Sequence, residues 1–114
     1  MQIQRHGSTR RYSDSVIHNG TVYLVEVPSN LDADITGQTE NLLASIERLL
    51  AQAGSDKSRL LMATIYLADM ADYSAMNAVW DAWLPEGTAP ARACVQARLA
   101  NPGFRVEIVL TAAN

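Results

Sequence analysis

Two amphipathic segments with helical periodicity alternate with strand-like segments, and this order restricts the fold more than any other feature. Apolar residues recur at helical spacing over residues 35–53, and Gly54 follows where a glycine commonly ends a helix. Asp32 or Asp34 is placed to cap the start of this helix. A second stripe, typical of core packing, covers residues 73–83. Because strand–helix–strand crossovers have one preferred hand, we predict both helices on the same face of one sheet.

Strand signals precede and separate these helices. Asn19-Gly20 lies between Ser15–His18 and residues 21–27, and an Asn-Gly pair between β-rich runs is the strongest short-range signal for a β-hairpin. Residues 59–68 are mostly apolar on both faces, as expected for an interior strand. We therefore predict an opening hairpin and a buried strand that follows the first helix in the chain.

The last third of the chain alternates between apolar and polar residues. This period of 2 covers residues 92–99 and 104–111, and Asn101-Pro102-Gly103 lies between them as a turn. We predict a second hairpin from these segments, with its apolar face against the helices. The opposite face would then present the polar side chains, which include Arg92, Cys94, Gln96 and Glu107.

The helices would leave one face of the sheet uncovered. That face carries valine, threonine and aliphatic side chains among charges, and in a small domain such a face is commonly buried against a copy of itself. We therefore predict a homo-oligomer in which the polar sheet face lines clefts between subunits.

The composition agrees with one small domain over residues 1–114. With 48% apolar and 18% charged residues, the 114-residue chain can fill a core without disulfides or a structural metal. Residues 1–11 hold Arg5, Arg10 and Arg11 without an acid and are expected to be a mobile or edge arm. A formal net charge of −3 argues against nucleic acid as a partner.

The sequence also indicates a compartment. Cys94 is the only cysteine, which favours reducing surroundings over a disulfide-forming one. Residues 1–12 lack the apolar run of a signal peptide, and no stretch has the length of a membrane span. We expect a cytoplasmic protein without a membrane partner.

The chain lacks the residues that several classes of catalytic and cofactor-binding site require. His6 and His18 are the only histidines, and neither is placed for a metal site or a Ser-His-Asp triad. The sequence contains neither the Gly-x-Gly-x-x-Gly motif of dinucleotide-binding folds nor the Gly-x-x-x-x-Gly-Lys motif of phosphate-binding loops. We therefore expect no metal and no nucleotide cofactor.

Arg92 and Glu107 are the candidates for chemistry. A guanidinium at the start of a strand suits a bidentate grip on a carboxylate, and a structural ion pair is the alternative. Glu107 lies mid-strand among aliphatic residues, where a carboxylate needs a partner or a role; a pair with Arg98 or Arg105 is the alternative. Cys94 is interpreted as a small buried hydrophobe, because no histidine is placed to activate its thiol.

Motifs in several parts of the chain carry a family resemblance over residues 10–112. They are Pro90-Ala91-Arg92-Ala93-Cys94-Val95, Asn101-Pro102, Arg105-Val106-Glu107-Ile108, the Asn-Ala-x-aromatic pattern within residues 76–83, and Tyr12 before the first hairpin. Together they resemble the RidA/YjgF family of reactive intermediate deaminases. Residues 30–34, Asn-Leu-Asp-Ala-Asp, resemble a small bacterial branch of that family.

The resemblance implies a chorismate-mutase-like α+β fold, a mixed sheet with two helices on one face, assembled as a homotrimer with active sites between subunits. It also implies hydrolysis of reactive enamine and imine intermediates, such as 2-aminoacrylate-like 2-imino acids, to 2-keto acids and ammonia without a cofactor. Small 2-imino and 2-keto acids and the chain itself would be its partners. The alternative is a non-catalytic module that binds small carboxylates in the same clefts.

Residue roles follow only from the resemblance. Arg92 matches the arginine that holds the substrate carboxylate, and Glu107 matches the acid that positions or activates water. Tyr12 and Asn77 match residues that shape the pocket, and Cys94 matches the cysteine beside the arginine.

Val25-Glu26 departs from the family pattern, because many relatives carry Ser-Gly at this point of the second strand. Glu26 adds an anion near the expected pocket and is a candidate modulator of activity. The alternatives are that it repels a 2-imino carboxylate, that it pairs with Arg92 and blocks it, or that a strand register shifted by one residue turns it to solvent. RNA cleavage or chaperone-like binding is a weaker reading, and the acidic net charge and the absence of a basic, aromatic stripe stand against RNA.

Overall fold

The computed structural model describes residues 2–114, which form a mixed six-stranded sheet with two helices on one face. The strands are β1 (Gln4–His6), β2 (Ser15–His18), β3 (Thr21–Glu26), β4 (Leu60–Leu67), β5 (Ala91–Gln96) and β6 (Val106–Ala113), and the helices are α1 (Ile35–Gln52) and α2 (Tyr73–Trp83). The strand order is β1-β2-β3-β6-β4-β5. β4 and β5 are parallel, and the other neighbouring pairs are antiparallel.

The local signals at the first hairpin and at α1 are confirmed. Asn19 and Gly20 have φ values of 55° and 82°, the left-handed pair that a tight Asn-Gly turn requires, and β2 pairs with β3 across it. Asp34 caps α1 by accepting a hydrogen bond from the Gly37 N–H at 2.9 Å. The helix ends before Gly54, which has a φ of 77°.

The core lies between the helices and one face of the sheet. Every second residue of β6 is buried there, and its neighbours on β3 and β4 contribute the facing side chains. The largest fully buried apolar side chains are Val22, Leu24, Leu42, Leu43, Ile46, Leu50, Ile65, Leu67, Met76, Ile108 and Leu110. Neither helix within residues 2–114 is long and apolar enough to cross a lipid bilayer.

The predicted hairpin of residues 92–99 and 104–111 is wrong. β5 pairs in parallel with β4, and β6 lies between β3 and β4, so β4 separates the two segments. A turn does form at Asn101, whose carbonyl accepts from the Phe104 N–H at 3.0 Å, but it belongs to a connection that passes β4. The alternation of apolar and polar residues correctly indicated two strands. It did not indicate their neighbours, because β5 and β6 both pair with other strands of the sheet rather than with each other.

The face assigned to β5 is also wrong. Register places Arg92 beside Ala63 and Cys94 beside Ile65, and both neighbours are buried on the helix side of β4. Gln96 follows on the same side, where its Oε1 accepts from the Met70 N–H at 2.8 Å. α2 and the turn before it offer polar partners at this edge of the sheet, so the polar positions of β5 face the helices. Glu107 has the predicted orientation, because its β6 neighbours Val106 and Ile108 are buried against the helices.

Buried Gln38 on α1 holds the connection between β5 and β6. Its side-chain N–H groups donate to the carbonyls of Gly103 at 2.9 Å and Leu31 at 3.2 Å, and its Oε1 accepts from the Arg105 N–H at 2.8 Å. The side chain is fully buried, so backbone groups of this loop depend on it for hydrogen bonds. It thereby fixes where β6 begins.

We expect Gln38→Met to lower the free energy of unfolding by about 2–4 kcal/mol, because the substitution keeps volume but leaves buried backbone groups unpaired. Urea unfolding of Gln38→Met beside the exposed-site control Gln52→Met on the same helix measures the effect. The control should change stability by less than about 0.5 kcal/mol. Equal stability of the two variants would contradict this role of Gln38.

Candidate active site

Arg92 lies at the edge strand β5 and reaches toward α2. Its NH1 donates to Asn77 Oδ1 at 2.8 Å, and its NH2 lies 3.4 Å from the Tyr73 hydroxyl. The guanidinium carbon is 5.6 Å from the ring centroid of Trp80 and 5.9 Å from that of Tyr73. Such aromatic contacts favour a cation and restrict its orientation.

The ion pairs within residues 2–114 do not include Arg92. The alternative of a structural ion pair for this residue is therefore wrong. An amide and a phenol orient the guanidinium without neutralising it, and donors of its planar fork remain for an anion.

Cys94 lies two residues along the same face of β5 and is half-buried against the core. Burial raises the pKa of its thiol, and the nearby Arg92 charge opposes that shift only in part. A thiol that stays protonated is a poor nucleophile. The interpretation of Cys94 as a small hydrophobe agrees with this environment.

A second group of candidate residues lines a cleft of about 450 Å³. The cleft brings together the predicted residues Tyr12, Glu26 and Glu107, which come from the loop before β2, the end of β3 and the start of β6. The remaining lining residues are Ser13, Asp14, Val25, Val27, Ala100 and Phe104.

Glu26 belongs to the cleft wall rather than to open solvent. Its Oε1 accepts a hydrogen bond from the Val27 N–H at 3.1 Å. Burial raises the pKa of the Glu26 carboxyl; the Val27 hydrogen bond opposes this, the negative field of Asp14 adds to it, and the Arg48 charge opposes it more weakly. The carboxyl therefore keeps its proton to a higher pH than an exposed glutamate.

Glu107 is half-buried in the middle of the sheet, on the face away from the helices. The predicted alternative, an ion pair with Arg98 or Arg105, is wrong. Arg105 instead pairs with Asp72, to which its Nε donates at 3.2 Å (Oδ2) and its NH2 at 3.3 Å (Oδ1). Within residues 2–114, neither ion pair involves Glu107. Its carboxylate is therefore available to the cleft.

A single chain does not bring these two groups of residues together. Register joins Glu107 to Tyr66 and Tyr66 to Val95, which places Arg92 two strands away and three residues back along β5. This corresponds to roughly 14 Å between the Cα atoms, with the side chains on opposite faces of the sheet. Arg92, Asn77 and Cys94 form one part of the predicted site, and the cleft residues form another.

The sequence reasoning missed the residues that support both parts. Tyr73 and Trp80 belong to the α2 stripe that was interpreted as core packing, yet their rings also flank Arg92. Their spacing of three or four residues from Asn77 puts all three on one helix face and could have revealed the contact. Asp14 and Phe104 gave no comparable signal. No group of three or more potential metal ligands occurs within residues 2–114.

Comparison with known proteins identifies the family. A family model described as Endoribonuclease L-PSP matches residues 2–114. The RutC family protein YoaB of Escherichia coli (strain K12) is 53% identical over 113 residues, 99% of each chain. The chain belongs to the RidA/YjgF family. A RutC family protein of Haemophilus ducreyi is 49% identical over 112 residues, which cover 97% of this chain and 96% of that protein.

Solved structures of the RidA/YjgF family have the same fold. A crystal structure of a YjgF family member from Neisseria meningitidis matches with a TM-score of 0.97 and 52% identity, covering 100% of this chain and 96% of that one. A Mycobacterium tuberculosis member matches with a TM-score of 0.89 at 25% identity, covering 99% of this chain and 100% of that one. The α+β fold that the resemblance implied is thus confirmed.

The shifted pKa of Glu26 predicts a pH-dependent stability difference. Because the folded state holds this proton to a higher pH than the ordinary value of 4.5, ionisation of Glu26 destabilises the fold progressively above that pH, and the effect is complete above the raised pKa. Relative to the parent, Glu26→Gln should gain stability as the pH rises from 4 to 8. Urea unfolding across this range measures the difference, and a constant difference would contradict the expectation.

Proposed function

We propose that this protein hydrolyses small 2-imino acids to 2-keto acids and ammonia, at sites built between the subunits of a homotrimer. Arg92 carries the proposal. It is a half-buried, aromatic-flanked guanidinium, and an amide and a phenol orient it without a neutralising acid. Membership of the RidA/YjgF family supports imine hydrolysis or small-molecule binding as the activity of such a site.

Arg92 would bind the substrate through its carboxylate. A 2-imino acid has one fixed anionic group beside its electrophilic carbon, so a bidentate guanidinium orients that carbon as well as binding it. Asn77 holds the guanidinium by its NH1 donor. This positioning supplies much of the rate enhancement that a labile substrate requires.

Glu107 of a neighbouring copy would act as the general base that transfers protons in the reaction. The imine nitrogen first takes a proton from solvent, and the Glu107 carboxylate accepts a proton from water as the water oxygen forms a bond to the imine carbon. Glu107 then returns this proton to the nitrogen of the resulting carbinolamine. The carbon–nitrogen bond breaks, the hydroxyl proton is lost to solvent, and ammonia and the 2-keto acid are released. One water is consumed for each ammonia formed, and the net reaction transfers no electrons.

The face away from the helices would form the contacts between copies. Apolar side chains are exposed there on three strands, namely Tyr23, Val25, Met62 and Val95. Burial of such a surface stabilises association. It would also bring the cleft of one copy beside the β5 edge of the next.

The direct test generates imino acids from amino acids with an amino-acid oxidase and follows their loss with and without the protein. We expect Arg92→Ala to lower kcat/KM by at least about 100-fold, because the carboxylate loses its charged partner. Sedimentation should show both proteins at about three times the 12.4 kDa chain mass.

Arg98→Ala is the matched control, because Arg98 is exposed and lies outside both groups of site residues. It should leave the rate unchanged. Unchanged activity of Arg92→Ala, or a monomeric parent protein at micromolar concentration, would overturn the assignment.

Glu107→Gln separates catalysis from binding. The amide keeps the size of the side chain but cannot accept the proton from water, so kcat should fall by about 10²- to 10⁴-fold. Calorimetric titration with 2-oxobutyrate should show binding close to that of the parent. If the parent protein binds 2-oxobutyrate without accelerating imine loss, the chain is the non-catalytic binder of small carboxylates.

A further inference from the structure

The cleft that holds Glu107 has an unusual balance of charge. Three carboxylates line it, those of Asp14, Glu26 and Glu107, and no lysine or arginine is among its lining residues within the described chain. Arg10 and Arg11, the nearest arginines in sequence, are exposed in the preceding loop and are not part of the wall. Arg48, whose charge is the weakest influence on the pKa of Glu26, is not among the lining residues either. A ligand group that enters the cleft therefore meets a negative field.

Glu26 is held in this wall. Its Oε1 accepts from the Val27 N–H at 3.1 Å, which fixes the carboxylate at the end of β3. Register places Glu26 opposite Ile108, whose side chain faces the helices, whereas Glu107 lies on the other face of the sheet. The two acids therefore meet the cleft from opposite sides, at the end of β3 and the start of β6, and both line it. From these positions they can act on different parts of one small ligand.

Aromatic rings complete the same cleft. Tyr12 is 63% exposed at the loop before β2, and Phe104 is half-buried beside β6. Aromatic faces combined with carboxylates form a favourable environment for an ammonium or guanidinium group. The three carboxylates of the wall repel a second carboxylate on the ligand.

We propose that Glu26 is a specificity-determining residue that selects the charge of the substrate side chain. The cleft takes 2-imino acids with a cationic side chain in preference to those with a second carboxylate. This inference rests on the proposed function, because Arg92 must hold the first carboxylate for the side chain to reach Glu26. Uncharged side chains rank between the two classes.

The expected size of the selection follows from Coulomb attraction in a partly solvated cleft. One charge pair about 5 to 6 Å apart near a protein surface, discounted for solvent, changes an equilibrium or a rate constant by about tenfold. The parent protein should therefore have a kcat/KM for the arginine-derived imino acid at least about tenfold above that for the glutamate-derived one. The leucine-derived imino acid should give an intermediate value.

The experiment compares these three imino acids, each generated by a matched oxidase, with the parent, Glu26→Gln and Glu26→Lys. Glu26→Gln should reduce the arginine-to-glutamate ratio by about 10- to 100-fold, because it removes an attraction for one substrate and a repulsion for the other, and Glu26→Lys should reverse the ratio. Glu86→Gln is the matched control: it removes the same charge at an exposed position outside the cleft, and its ratio should equal that of the parent.

A ratio that is the same in the parent and both Glu26 variants would overturn the inference and leave the proposed function intact. If no imino acid is hydrolysed, the proposed function is wrong, and the selection is measured instead by calorimetric binding of the three corresponding 2-keto acids. The same charge order, with its dependence on Glu26, supports the inference. Binding that ignores side-chain charge, or no binding of any of the three, refutes it.

Discussion

The insertion of β6 between β3 and β4 is the constraint on which the rest of the structure depends. β6 bonds along one edge to the N-terminal hairpin and along the other to the β4–α2–β5 unit, so it joins two substructures into one sheet. Its buried alternate residues form the centre of the core under α1. The same insertion places Glu107 in mid-sheet and leaves Arg92 on the edge strand.

Local signals predicted the elements because the interactions behind them are local. The Asn19-Gly20 turn needs only its own φ values, and the cap at Asp34 needs only the first turn of the helix. The partner of a strand is different, since alternation identifies a half-buried strand without saying which neighbour it has. Here the connection that leads into β6 is held by Gln38, whose side-chain amide forms hydrogen bonds to Gly103 and Arg105 across more than sixty residues of sequence.

The orientation of the β5 side chains could not be predicted from the sequence for a related reason. Alanine and valine at the alternate positions gave an apolar stripe that pointed toward the helices, but these small side chains bury little area. The stems and polar ends of Arg92 and Gln96 find partners on α2 and the turn before it, and Cys94 packs against the core. A polar partner on a neighbouring element can thus reverse the orientation that hydrophobicity alone favours.

The contrast between Arg92 and Arg105 shows how the fold separates a binding cation from a structural one. Arg105 meets Asp72 through two nitrogen–oxygen contacts, so its charge is largely neutralised within the chain. Arg92 meets Asn77, which orients it without removing its charge. Because Arg105 pairs with Asp72, Glu107 lacks the arginine partner that the alternation of residues predicted for it. Within the described chain, neither Arg92 nor Glu107 is therefore neutralised by an ion pair.

The position of these two charges restricts how copies of the chain can combine them. A twofold dimer joins the same patch on both subunits, and one flat patch cannot contain side chains on opposite faces of a sheet. Arg92 of one copy therefore meets Glu107 of another only when different surfaces of the chain are joined, and such a contact must close into a ring to stay finite. A threefold ring is the smallest that does so, which is why the division of the site across the sheet supports the proposed trimer.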